Sequence, residues 1–315
     1  MLKRENLLKL SEDFIENTPF NTLGPHTNDA EDVYGLRIFD KPIMAIGRAD
    51  DPYWKKLWEP QIVGQQFMLP EEWLPGAKTV ISFFLPSSEK VKDYCAKEKV
   101  KVVKEWLCAR TDAQWVLMSL MDYVCDLLKT EGFKTCVPSD DPRFTFRGWI
   151  KSPSYGGEYP NFKEYGMANQ YEDYTHQECY KRAHEIEFPL YNSNWSERHV
   201  AYVCGLGTFG LSTNLITKKG SSGRFMSIVT DWEADAYDIR PYTDYMEYCN
   251  HCGACIVNCP GHAITKDGKN KKTCHDYFQP LLSSYDLIPR YGCGKCQTAM
   301  PCDGGIPPKR DSKGK

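Results

Sequence analysis

The sequence has no apolar run of membrane-spanning length, and neither a signal peptide nor a twin-arginine leader opens it. A chain of 315 residues that is 41% hydrophobic and 26% charged is too polar for a membrane protein, so a cytoplasmic location with no membrane partner is expected. A strong charge of either sign is also missing. The net charge of -3 gives no general electrostatic reason to seek nucleic acid. Internal repeats and low-complexity tracts are absent too, which excludes a solenoid, and only Pro307 to Lys315 reads as a disordered tail. In a reducing compartment the fourteen cysteines need an explanation other than disulfides.

Their distribution supplies one. Cys95, Cys108, Cys125, Cys136, Cys179 and Cys204 are scattered and read as small buried hydrophobes, whereas the other eight fall between residues 249 and 302. Cys249, Cys252, Cys255 and Cys259 with Pro260 spell C-x2-C-x2-C-x3-C-P, the bacterial ferredoxin spacing. One tight loop can then present three thiolates to a single cube of iron and sulfide, while the fourth points to a second cube. A zinc ribbon fits poorly, since zinc sites pair two C-x2-C units. Downstream stand Cys274, then Cys293 and Cys296 in a second C-x2-C, then Cys302. Crossed ligation assigns Cys249, Cys252, Cys255 and Cys302 to one [4Fe-4S] cluster, and Cys259, Cys274, Cys293 and Cys296 to the other. QTAMP separates Cys296 from Cys302 where a ferredoxin has three residues, which makes Cys302 the weakest assignment.

The rest of the chain reads as an α/β body. Met1 to Asn17 has the pattern of a short amphipathic helix, and residues 20 to 75 read as irregular with one short strand at Pro42 to Ile46. Lys78 to Leu85 (KTVISFFL) is a buried strand. Apolar residues from Ala113 to Lys129 recur at helical spacing before Gly132, and a strand at Phe133 to Val137 would complete a strand-helix-strand unit. Asn194 and Glu197 resemble a capping pair opening a helix that Gly205 would close, and Arg224 to Asp231 reads as another core strand. The aromatic stretch from 145 to 190 is a candidate substrate wall or lid. Gly205-Leu-Gly207-Thr-Phe-Gly210 spells G-x-G-x-x-G with Asp231 downstream, but a helix before it would argue against a dinucleotide site. His251 and His262 flank the cysteine loop and could tune its hydrogen bonding, while His26, His176, His184, His199 and His275 show no metal-ligand spacing.

Three stretches, covering roughly residues 70 to 306, resemble the epoxyqueuosine reductases and, more distantly, the corrinoid-dependent reductive dehalogenases. They are Pro70 to Pro86, Ser193 to Asp231 with its GLGTFG turn, and the cysteine module from Cys249 to Pro307. The resemblance implies a nitroreductase-like, corrinoid-binding α/β body over residues 1–240, followed by a ferredoxin-like two-cluster module over 241–306. Electrons from a low-potential donor such as ferredoxin or flavodoxin would pass through two clusters to a cobalamin, whose Co(I) state removes oxygen or halogen from a substrate. Gly205, Gly207, Thr208, Gly210 and Asn214 would form the close-approach surface for the corrin or its tail.

At the fixed offset before the turn where the family has its proton-donating acid, this chain has Tyr191, which the resemblance casts as the donor with Arg198 as the cation that would favour its anion; the alternative is that Tyr191 only packs beside Trp195. Two further departures stand out. The family's Y-x-x-G-x-D-Y-H-like stretch has no match around Cys108 to Gln114. Many members also carry a C-terminal helical-repeat extension that helps bind tRNA, and its absence counts against tRNA and for a small molecule or nucleoside as substrate. The competing reading is a two-cluster electron carrier that reduces a partner protein and holds no organic cofactor.

Overall fold

The computed structural model describes residues 2–26, 30–147, 178–185, 192–282 and 290–309. At its centre four strands lie in the order Ile43–Arg48, Thr79–Pro86, Gly223–Thr230, Thr135–Cys136, each antiparallel to its neighbour. The register pairs Ile43 with Phe84, Thr79 with Thr230 and Thr135 with Thr230. Thr79–Pro86 and Thr135–Cys136 therefore run parallel, and the helix Lys104–Thr130 joins them as expected. They do not touch, because Gly223–Thr230 is inserted between them.

Both faces of this sheet are covered, which explains why Thr79–Pro86 is buried at every position rather than alternating. Ile46, Ile81, Phe83, Leu85 and Ile228 pack beneath the N-terminal helix Arg4–Asn17 and the long helix. Ala45, Val80, Phe84 and Val229 meet the opposite layer, where Trp54, Phe67 and Trp195 stack and Trp73 meets Trp195 edge-on, with ring centroids 5.3 to 6.4 Å apart. Arg143 is fully buried beside this layer. Its guanidinium pairs with Asp141 at 2.8 Å and donates to the carbonyls of Glu72 and Trp73, so its charge and donors are satisfied.

Two expectations need correction. The long helix begins at Lys104, well before Ala113, because the polar residues that interrupt its apolar pattern face the C-terminal segment instead of water. Asp112 is buried against Arg290 at 3.1 Å, and the Arg110 guanidinium lies 4.1 Å from the Tyr291 ring centre. Asn194 does not cap the helix Glu197–Val203, whose N-cap residue is Ser196. Its side chain accepts from Thr145 N and donates to the Arg143 carbonyl, fastening two distant loops. The irregular region before residue 75 also holds short helical turns besides the strand Ile43–Arg48.

Most of the aromatic stretch 145–190 lies outside the described residues, as does Tyr191. No helix among the described residues is long and apolar enough to cross a membrane.

Candidate iron-sulfur site and its adjoining cavity

A helix, Glu197–Val203, precedes GLGTFG, and the strand Gly207–Phe209 lies within it. This inverts the strand-then-helix order that a dinucleotide fingerprint needs. The turn serves a different purpose. Gly207–Phe209 pairs with Leu215–Thr217, and a β-carbon on Gly207 would lie 2.1 Å from the Ile216 carbonyl oxygen, so only glycine lets the two strands close. The hairpin then grips the chain leading to the cysteines: Phe209 N donates to Tyr245 O at 2.8 Å, and Thr208 Oγ1 accepts from Tyr248 N at 2.8 Å.

Cys249 to Cys259 follow as a compact loop. Gly253, with a φ of 77°, reverses the chain and the one-turn helix Ala254–Val257 carries Cys255. Cys249, Cys252, Cys255 and Cys302 line one small cavity together with Gly210, Leu211 and Met300. Cys302 is held in place although its spacing is irregular, since its carbonyl accepts from Ser221 N at 2.9 Å. Burial pushes the Cys255 thiol up to about 12 and that of Cys302 to about 11, each reinforced by neighbouring cysteines. Such crowded thiols shed their protons when a metal takes the charge.

The remaining four cysteines sit behind the first set. Cys259 Sγ accepts from Ala263 N at 3.3 Å, and Cys274 stands on the helix Lys271–Leu282. Cys293 and Cys296 are fixed from the body: Cys95 Sγ donates to the Cys293 carbonyl, and the buried Lys295 between them donates to Cys95 O at 3.0 Å. Asn214 Nδ2 donates to Cys296 O at 2.8 Å, and Lys269 Nζ lies 3.5 Å from Cys296 Sγ. Burial alone would raise the Cys296 thiol, but Lys269, Asn214 and Arg198 outweigh it and bring it below its ordinary value.

Cys274, Cys293 and Cys296 form one wall of a cavity of about 630 Å³, a size usual for small-molecule and cofactor sites. Gly210 and Asn214 line it, whereas Gly205, Gly207 and Thr208 are not among its lining residues. Arg198 enters it, 3.5 Å from the Thr213 carbonyl it donates to. His199 was not singled out by spacing, yet it faces the same space, between Ser196 Oγ at 2.7 Å and Tyr245 OH at 3.1 Å. Burial, with Lys271 and Arg198 adding to it, drives its imidazole down to about 3, so the ring is neutral at physiological pH. Trp106, Phe209, Tyr245 and Tyr291 supply apolar wall. Nothing in the periodicity marked these residues, because they come from segments far apart in the chain.

The 4Fe-4S binding domain family matches residues 242–265, which contain the first four-cysteine run. The chain is thus an iron-sulfur protein that binds a [4Fe-4S] cluster. Among characterised proteins it is similar to the epoxyqueuosine reductase of Leadbetterella byssophila, 31% identical over 124 residues, and to that of Listeria monocytogenes, 29% identical over 119. These matches cover 36% and 35% of this chain and span 37% and 30% of the relatives' own length. A crystal structure of epoxyqueuosine reductase with a tRNA stem loop matches with a TM-score of 0.48 at 17% identity, over 96% of this chain and 66% of that one. The two sequence matches uphold the resemblance to the epoxyqueuosine reductases.

Proposed function

We propose that this protein is an iron-sulfur reductase of the epoxyqueuosine reductase kind, which passes electrons through two [4Fe-4S] clusters to a corrinoid for reductive cleavage of a substrate bond. The cavity walled by Cys274, Cys293 and Cys296 carries this reading. Part of that space is the room a cluster on these cysteines would itself take, and the remainder, bordered by Asn192, Ser196, His199, Phe209 and Tyr245, is what a carrier handing electrons to another protein would not need. The residues present fit the clusters, since four thiols surround one small cavity and hydrogen-bond donors point at Cys296 and Cys259 in the other set. They also fit a flat macrocycle, with aromatic wall on several sides and the Phe209–Asn214 edge of the hairpin exposed to it.

When bound there, a corrinoid would supply the strongly reducing, nucleophilic metal centre that side chains lack. The chain's own contributions are separable. Cys249, Cys252, Cys255 and Cys302 would hold the outer cluster, and Cys259, Cys274, Cys293 and Cys296 the inner one. Gly210 and Asn214 would border the corrinoid, and the neutral His199 would keep Tyr245 oriented. Tyr191 is the proposed proton donor and Arg198 the cation that favours its phenolate. The donor would be a low-potential ferredoxin or flavodoxin, and the substrate a small molecule or nucleoside.

Incubating the anaerobically reconstituted protein with hydroxocobalamin, removing the excess and recording the absorption spectrum tests the reading. Corrin bands retained beside the broad cluster shoulder are expected, and their absence would favour the carrier. Tyr191→Phe is expected to abolish turnover while leaving cofactor retention and cluster reduction unchanged, and turnover at the parent rate would remove Tyr191 from the mechanism.

A further inference from the structure

Between the first cysteine run and Cys274 lies the segment Thr265-Lys-Asp-Gly-Lys-Asn270, a tight hairpin in which Gly268 pairs with Thr265 and Lys269 with Ile264. Gly268 takes a φ of 119°, which a side chain would resist, and Thr265 Oγ1 accepts from Asp267 N at 3.1 Å. Ala263 and Ile264 are buried at its base, where Asn270 N donates to the Ala263 carbonyl at 2.7 Å. Cys274 N in turn donates to the Asn270 carbonyl at 3.1 Å. Lys269 is therefore fixed between the chain leaving Cys259 and the helix bearing Cys274, and its Nζ stands 3.5 Å from Cys296 Sγ.

The charges around the two cysteine sets differ in sign. Lys269 and Arg198 both act on Cys296, and Lys269 also opposes the rise that burial imposes on the Cys274 thiol. Lys295 lies between Cys293 and Cys296, but its Nζ donates to the carbonyls of Cys95 and Glu98, so its charge is directed to the end of the helix Glu89–Lys97. Asp267 lines the large cavity but is exposed in the hairpin turn, where water and salt screen it. Around the outer set, none of the described residues lining the cavity that Cys249, Cys252, Cys255 and Cys302 share is Lys, Arg, Asp or Glu. Asp303, whose carboxylate accepts from Met300 N at 3.2 Å, places a negative charge beside Cys302.

We infer that Lys269 and Asp303 order the reduction potentials of the two clusters, Lys269 raising that of the inner one above the outer, so that the first electron to enter the protein rests beside the large cavity. Gaining one electron makes a four-iron cube more negative by one charge. A cation close to its sulfurs stabilises that state, and a carboxylate disfavours it. Hydrogen bonds to the sulfurs act in the same direction as a cation, and Asn214 Nδ2 and Lys269 Nζ both donate to Cys296 Sγ, at 3.7 and 3.5 Å. The electron comes from the low-potential donor, which is oxidised by that one electron, and no bond or proton is exchanged. Lys269 acts through the sulfur of Cys296, so it sets where the electron waits rather than what is cleaved. The inference rests on the two-cluster reading proposed above and deepens it by ordering the clusters.

The test is a redox titration of the full chain, with clusters reconstituted, no corrinoid added and dithionite as reductant, followed by electron paramagnetic resonance. Two one-electron waves are expected, and Cys296→Ala is expected to abolish the upper one. Lys269→Gln is expected to lower the upper potential by about 59 mV or more, a tenfold change in the reduction equilibrium, with the lower potential unmoved. Lys269→Arg keeps the charge and is expected to stay within about threefold of the parent protein, roughly 28 mV. Asp303→Asn is expected to raise the lower potential by at least about threefold in the same equilibrium. It leaves the inner cysteines untouched, so it decides the matter if Lys269→Gln loses iron. Loss of the lower wave in Cys296→Ala, an upper potential unmoved by Lys269→Gln with iron retained, an equal fall in Lys269→Arg, or a lower potential unmoved by Asp303→Asn would each overturn the inference. Iron analysis of the same samples separates it from the reading it rests on: about eight irons with unmoved potentials remove the ordering alone, whereas about four irons and a single wave remove both.

Discussion

Glu197 shows how one buried side chain sets a property of the whole. It opens the helix Glu197–Val203 with its carboxyl against Ser227, whose hydroxyl donates to it at 2.7 Å while accepting from Trp195 Nε1 at 2.9 Å. Burial raises this carboxyl from 4.5 to about 7, with Ser227, Ser139 and Arg224 opposing. The folded state therefore holds a proton that the unfolded chain releases above 4.5. The stability that this proton confers is full below 4.5 and is lost as pH rises to about 7. Glu197→Gln is expected to flatten the fall of the thermal midpoint between those two values. Asp122 and Asp140, raised to about 6 and about 7, leave part of the slope in place. A slope identical to that of the parent protein would show that the carboxyl is already ionised in the fold.

Cysteines divide at the same scale. Cys204 is fully buried, with Sγ 3.7 Å from the Val80 carbonyl, and burial keeps its thiol well above the ordinary value. Cys252 lines the small cysteine cavity. Cys252→Ala is expected to lower bound iron by roughly half and to block reduction, since a four-iron cube with one thiolate missing is poorly held. Cys204→Ala is expected to leave iron unchanged, at a cost in stability of about 1 kcal/mol from the small cavity it opens. Iron analysis of the two variants side by side distinguishes the roles.

Between elements, the critical contact joins the long helix to the second C-x2-C. Gly294, between Cys293 and Lys295, has a φ of 78°, and a β-carbon there would lie 2.4 Å from Trp106 on the helix Lys104–Thr130. The indole ring thus forms the bed on which the inner cysteines rest. Asp112 with Arg290 and Lys295 with the Cys95 carbonyl hold the same segment from either side. Gly294→Ala collides with a packed ring and takes up a disfavoured backbone angle. It is expected to lower bound iron to about half while helical circular dichroism stays intact. Full iron content in that variant would mean that the inner cysteines tolerate a displaced loop.

For the molecule as a whole, about eight irons and eight acid-labile sulfides per chain are expected after anaerobic reconstitution, because two cubes need that many. A count near four would remove Cys274, Cys293 and Cys296 as a cluster site. The arrangement gives the two cysteine sets different surroundings. One lies against the hairpin and Met300, and the other opens on the large cavity beneath Lys269 and Arg198.

What the sequence by itself determined was local. C-x2-C-x2-C-x3-C-P fixes how far apart successive thiols can lie along one loop, and that distance is enough to specify iron-sulfur chemistry. The run KTVISFFL, the apolar spacing from Ala113 to Lys129 and the strand before Asp231 were legible for the same reason, since each pattern lies within a few turns or pleats. The start of the long helix was not, because Arg110 and Asp112 look like solvent-facing residues until Tyr291 and Arg290 are beside them. The insertion of Gly223–Thr230 between Thr79–Pro86 and Thr135–Cys136, which sets the sheet, pairs residues far apart in the chain. Only the tertiary structure decided that Arg198 and His199 share a cavity with Cys296. Backbone spacing constrains neighbours along a chain, but a cavity is made by surfaces that meet only when the core has packed.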